Sequence, residues 1–180
     1  MPRNIPIGNG EMLVAFDDLY RIRDLYWPHV GQPNHTCGHL QRFGLWVDGQ
    51  FAWVDSPGWT RTLGYKRDTL VSEVRLRHER LGIEVICHDA VDYYSPVFFR
   101  KVTVCDLLDR ARDVRVFFHA DLSVAESPVG DTVAFDPGTG GLVHYKDDRY
   151  FLFNGVHPGG WGIGSWATGA KRIGDAEGTW

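Results

Sequence analysis

Along almost the whole chain apolar and polar positions alternate with a period of two, in short segments rich in β-branched and aromatic residues and divided by Gly, Pro and Asp. Successive side chains of a strand point to opposite faces, so this alternation predicts strands with one buried face. EMLVAF (11–16) and LYRIRDLY (19–26) read as an opening hairpin across Asp17-Asp18. In the second of them Tyr20, Ile22 and Asp24 share one face, and Leu19, Arg21, Arg23 and Leu25 the other. FGLWVDGQFAWV (43–54) is the clearest local signal, because Asp48-Gly49 suits a two-residue turn whose central residues both need positive φ. Trp46 and Trp53 flank that turn as expected cross-strand neighbours.

TLVSEVRLRHE (69–79) alternates Leu70, Ser72, Val74, Leu76 and His78 imperfectly, and Leu81-Gly82 turns it into GIEVICHDAVDYY. VFFRKVTV (97–104) and RDVRVFFHADL (112–122) follow, joined by the polar CDLLDRARD, which has room for at most one short turn of helix. LVHYKD and RYFLFNG then flank Asp147-Asp148 as another hairpin, and the last third turns glycine-rich. No segment of ten or more residues keeps the i, i+3, i+4, i+7 pattern with caps. The expected fold is therefore all-β, an antiparallel β-sandwich of two packed sheets with little helix; pattern alone does not separate sandwich from barrel.

At 180 residues, without a linker-like stretch, the chain reads as one domain (1–180). Its net charge of −4 is small and basic residues are interspersed with acidic ones, so no positive face for nucleic acid is expected. The N-terminus lacks a signal-peptide run, and no stretch approaches the ~18 apolar residues that span a bilayer, so a soluble, cytoplasmic chain with no membrane partner is expected. Three cysteines at distant positions do not form a disulfide framework; Cys87 and Cys105 read as small core residues.

The densest chemistry is PHVGQPNHTCGH (28–39), which holds three of the eight histidines and one of the three cysteines. His29, His35, Cys37 and His39 carry zinc-ligating atoms, but their spacing matches no usual zinc pattern, and Pro33 and Gly38 mark a loop, so no metal or other cofactor is expected. The glycine pairs lack the strand, helix and lysine of a phosphate cradle. The serines lack a catalytic frame, the adjacent Asp pairs read as turn residues, and Asp89 and Asp92, at the edge of a strand, read as solvent or turn contacts. No catalytic residue is assigned. Of the seven tryptophans, Trp27, Trp59, Trp161 and Trp166 lie beside Gly, Pro and polar residues, where an indole can either enter the core or stack on a sugar.

IPIGNGEMLVAFDDLYRIRDLYWPHVGQPNHTCGH, RFGLWVDGQFAWV, DAVDYYSPVFFRKVTV, HYKDDRYFLFNG and SWATGAKRIGDAEGTW resemble the start of bacterial and archaeal glucoamylases and the related trehalases and glucodextranases, glycoside hydrolase family 15. The resemblance implies an N-terminal β-sandwich, here lacking its last strands, that precedes a catalytic barrel of paired helices holding both catalytic glutamates. The whole enzyme would then hydrolyse α-linked glucans or trehalose with inversion, one carboxylic acid protonating the leaving oxygen while the other carboxylate activates water. This chain alone is expected to be inactive, to pack on its own barrel, and to self-associate through uncovered edges when isolated. Within that frame Trp27, His29, Gln32, Asn34, His35 and His39 form an expected substrate-binding loop facing the barrel; the competing reading has these groups only capping turns. A free-standing carbohydrate-binding module is the alternative function, and a histidine-loop metalloprotein a third.

Overall fold

The computed structural model describes residues 4–127 and 129–169. Among these the chain is all-β, with one 3₁₀ turn at Val124–Glu126, and no helix is long and apolar enough to cross a membrane. The first sheet is opened by β1 (Ile5–Gly8), β2 (Leu13–Phe16), β3 (Ile22–Tyr26), β4 (Gln41–Val47) and β5 (Gln50–Trp53). The second is the meander β6 (Thr60–Tyr65), β7 (Ser72–His78), β8 (Ile83–Val91) and β9 (Phe98–Asp106), after which β10 (Val114–Ala120) returns to the first sheet beside β4. A third, smaller sheet comprises β11 (Thr132–Asp136), β12 (Gly141–Lys146) and β13 (Arg149–Phe153); β14 (Val156–His157) and β15 (Gly160–Trp161) form a short ladder. Every pairing is antiparallel.

The core lies between the first two sheets. Ile5, Ile7, Val14, Phe16, Phe43, Leu45 and Val47 meet Val74, Leu76, Ile83, Val85 and Cys87, all buried. Each large aliphatic or aromatic side chain so buried contributes about 1.5–3 kcal/mol. The alternation expected in β7 is observed, with Ser72, Val74, Leu76 and His78 inward, though Leu70 lies outside the strand and is exposed. Asp48 and Gly49 adopt φ of 47° and 90° as the turn chemistry requires, and Asp147 at φ 50° turns β12 into β13.

Some local expectations are corrected and others hold. β3 starts at Ile22 rather than Leu19, because Asp17 accepts backbone N–H groups of both Leu19 (3.1 Å) and Arg21 (2.9 Å), which widens the turn and holds Tyr20 at φ 63°. A bulge then inserts Arg23, so that Ala15 pairs with Asp24 but Phe16 with Ile22, and Ile22 and Leu25 both pack against the core instead of facing opposite ways. Trp46 sits opposite Phe51 and not Trp53, which faces Gly44. The 107–113 connection forms no helix. Trp59 is buried against His78, ring centroids 5.0 Å apart. Cys87 is buried, Cys105 is half-buried, and Cys37 is an exposed free thiol. The closing GDAEGTW segment, where the resemblance places a point inside the sandwich, lies outside the described residues.

The two main sheets meet at one edge and part at the other. Tyr65 of β6 donates a hydrogen bond to the Pro6 carbonyl of β1 (2.7 Å), joining the sheets there. At the opposite edge β9 pairs only with β8 and β10 only with β4 among the described residues. Val116 and Phe118 lie opposite the buried Leu45 and Phe43 and so share their inward face, yet they are 36% and 63% exposed.

Asp89, expected to make solvent or turn contacts at a strand edge, is instead fully buried in β8. Its carboxylate accepts from the Tyr20 hydroxyl (2.5 Å), the Ser72 hydroxyl (2.8 Å) and Arg100 Nε (2.7 Å). The Arg100 guanidinium lies 4.7 Å from the Tyr20 ring centroid and 5.1–5.6 Å from those of Phe16, Phe43 and Phe98, a cation enclosed by aromatic faces. Burial pushes the Tyr20 hydroxyl well above its ordinary pKa and the Cys87 thiol up to about 11. Burial alone would pull Arg100 down, but Tyr20, Asp89 and Cys87 beside it hold it above its usual range.

Candidate functional site

The loop from Trp27 to Leu40 does not cross open solvent; it runs back along β3. β3 and β4 share a single pair, Ile22 with Gln41, so most of the β3 edge needs other partners. The loop supplies them. Asn34 bridges Tyr26, and its Oδ1 accepts from Leu25 N (3.1 Å) and Thr36 N (3.2 Å). Its Nδ2 donates to Asp24 Oδ1 (2.9 Å), and Thr36 Oγ1 donates to the Arg23 carbonyl (2.6 Å). Side-chain amide and hydroxyl thus replace a paired strand.

His35 is the centre of this arrangement and has no exposed surface. Its backbone N–H donates to Leu25 O, and its carbonyl accepts from Ser123 N, both at 2.8 Å. Its Nδ1 accepts from Ala125 N (3.0 Å). Since Nδ1 is an acceptor, the ring is neutral with the proton on Nε2, and Nε2–H donates to the Trp27 carbonyl (2.7 Å). Burial lowers its pKa from the ordinary histidine value. Phe151 of β13 closes over it, ring centroids 4.8 Å apart, and stands edge-on to Trp27 at 5.9 Å. One imidazole therefore fastens β3, the 3₁₀ turn and the third sheet together.

Of the six residues expected to bind substrate, Asn34 and His35 are occupied by these bonds. Trp27 is half-buried against Phe151. His29 and Gln32 are exposed, beyond cis Trp27-Pro28 and before cis Gln32-Pro33 respectively. His39 lies at the other end of the loop with Nδ1 3.0 Å from Asp121 Oδ2, and Gln41 beside it accepts from Asp121 N (2.9 Å) and donates to the Asp121 carbonyl. The structure thus divides the set into an outward pair, His29 and Gln32 with Trp27 behind them, and a separate half-buried His39. The bridging role of Asn34 and Thr36 escaped the sequence reading; the one available signal was Asn-x-Thr directly after Pro33, a spacing suited to side-chain-to-backbone turns.

The buried carboxylates all have structural partners. Asp17 holds the β2–β3 turn and Arg21, Asp24 accepts from Asn34, Asp89 from Tyr20, Ser72 and Arg100, and Asp121 pairs with His39. Among the described residues no three His, Cys, Asp or Glu side chains gather as a metal-binding group.

No family model and no solved structure matches the chain. It is similar to an uncharacterized glycosyl hydrolase of Methanocaldococcus jannaschii, 25% identical over 129 residues, which cover 72% of this chain and 20% of that protein. The chain thus spans about a fifth of the length of the curated relative it matches. The all-β architecture and this distant likeness together fit a glycoside hydrolase-associated β-sandwich.

Proposed function

We propose that this chain is the non-catalytic N-terminal β-sandwich of a cytoplasmic, glucoamylase-like glycoside hydrolase that inverts α-linked glucans or trehalose, and that it packs on the enzyme's catalytic barrel. The observation that carries the reading is the likeness to a glycosyl hydrolase, which covers most of this all-β chain and a fifth of the relative. The buried carboxylates support a non-catalytic role. An inverting pair stands roughly 6.5–9.5 Å apart with space for a water, whereas Asp17, Asp24, Asp89 and Asp121 are each bonded to groups that hold the fold. The open β9–β10 edge supports further strands completing the sandwich in the whole protein. The free, widely separated cysteines suit a reducing compartment.

Within this reading Trp27, His29 and Gln32 form a rim beside the substrate pocket of the barrel, fixed from behind by Asn34 and His35. A rigid base with exposed hydrogen-bonding tips is the arrangement that recognises hydroxyls at low entropic cost. The test is kinetic. In the full-length enzyme His29→Ala with Gln32→Ala raises KM or lowers kcat while leaving the unfolding midpoint in place, and residues 1–180 alone do not hydrolyse maltooligosaccharides or trehalose. Unchanged kinetics removes the rim from the mechanism, and turnover by the purified chain overturns the non-catalytic assignment.

A further inference from the structure

We propose that the cleft between the β2–β3 turn and the end of the 27–40 loop, beside the start of β3 and β4, is a second carbohydrate subsite, sized for one neutral pyranose unit and separate from the exposed rim; the sugar class rests on the glycoside hydrolase reading. Beside the single Ile22–Gln41 pair, the β2–β3 turn and the end of the 27–40 loop leave an open cleft of about 220 Å³. Asp17, Arg21, Arg23, Gly38, His39 and Gln41 contribute to its wall. Pockets for drug-sized ligands run to about 300–1,000 Å³, so this one has room for a single ring rather than a chain.

The charges select the ligand class. Arg21 is paired with Asp17 at 2.7 Å, His39 with Asp121 at 3.0 Å, and Arg23 lies 4.0 Å from Asp24. Both guanidiniums in the wall therefore have a carboxylate beside them. A phosphate or sulfate would find both guanidiniums already beside a carboxylate and would meet the Asp17 carboxylate in the wall itself, whereas a hydroxyl can donate to a carboxylate and accept from a guanidinium at once. His39 spends Nδ1 on Asp121, which fixes the ring and leaves Nε2 as the nitrogen able to meet a ligand. Fixed planar polar groups of both kinds around a ring-sized space match the vicinal hydroxyls of a pyranose.

The test is a ¹H–¹⁵N correlation titration of the 180-residue chain with maltose, and in a separate arm with inorganic phosphate. Maltose should give saturable shifts centred on the amides of Arg21, Arg23, Gly38, His39 and Gln41, with a Kd on the order of millimolar. Arg23→Ala, whose side chain is 37% exposed and whose carbonyl still accepts from Thr36, should weaken binding at least about fivefold. His39→Gln reads the same loss if Arg23→Ala disturbs the spectrum as a whole. The absence of shifts at saturating maltose, shifts confined to other surfaces, or a response to phosphate instead of maltose would each overturn the subsite. The rim stands apart from this outcome, since it is read from kinetics of His29 and Gln32 in the full-length enzyme.

Discussion

Replacing His35 by phenylalanine keeps a flat ring against Phe151 but deletes both side-chain hydrogen bonds, leaving the Ala125 N–H and the Trp27 carbonyl without partners in a site that has no exposure. A buried backbone group left unsatisfied costs about 1–3 kcal/mol, so two of them predict a loss of about 2–6 kcal/mol. Urea unfolding followed by tryptophan fluorescence measures it, as a lower midpoint at unchanged slope. The same residue sets a pH dependence. Because burial lowers the pKa of folded His35 below its unfolded value of about 6.5, the unfolded chain binds more protons in that range, and stability must fall as pH falls. The contribution is fully present above about pH 6.5 and is lost progressively below it. His78, also lowered by burial and accepting from Leu81 N through Nδ1, adds to the same slope. His35→Phe should therefore flatten the decline between pH 7 and 5 without abolishing it. A loss below about 0.5 kcal/mol, or an unaltered pH slope, would refute the assignment of His35 as a structural neutral imidazole.

Asp89→Ala leaves Arg100 buried and unpaired, and should cost about 3–5 kcal/mol by denaturant unfolding; a near-neutral change would mean that the aromatic faces alone satisfy the cation. Gly44→Ala places a methyl 2.6 Å from the Phe51 ring and 2.9 Å from Trp53, so a loss of about 1–3 kcal/mol is expected, and a wild-type thermal midpoint would contradict the packing. A thiol reagent should modify exposed Cys37 in the native chain, whereas Cys87, buried with its pKa raised to about 11, should react only after unfolding. Sedimentation over a concentration series should show self-association of the isolated chain, reduced by Val116→Lys or Phe118→Glu at the open edge; a strict monomer at high concentration would mean that this edge needs no partner.

What the sequence disclosed depended on the range of the interactions. Asp48-Gly49 and the β7 alternation are written in neighbouring residues, so turn, strand and buried face could all be read from them. The bulge at Arg23 could not, because it depends on how β2 pairs across the turn, and it reverses the inside–outside reading of Leu25 relative to Ile22. Asp89 resembled a solvent-facing or turn aspartate since its partners Tyr20, Ser72 and Arg100 lie 69, 17 and 11 residues away. The histidine loop was visible as a concentration of polar chemistry, but its division was not. Among the contacts that distinguish His35 from His29 are those with Ala125 and Phe151, which the third sheet and the 3₁₀ turn bring from the far end of the chain.

The aromatic enclosure of Arg100 also bears on how the fold responds to heat. The hydration of an ion carries a strongly negative entropy, so the cost of withdrawing Arg100 and Asp89 from water declines as temperature rises, while their mutual attraction and the contacts to Phe16, Tyr20, Phe43 and Phe98 persist. Hydrophobic burial in the surrounding core gains no comparable advantage. A charge pair that contributes little to the sandwich in the cold thus becomes one of its firmer points when warm, and the junction of β8 and β9 should be among the last parts of the protein to exchange its amide protons on heating.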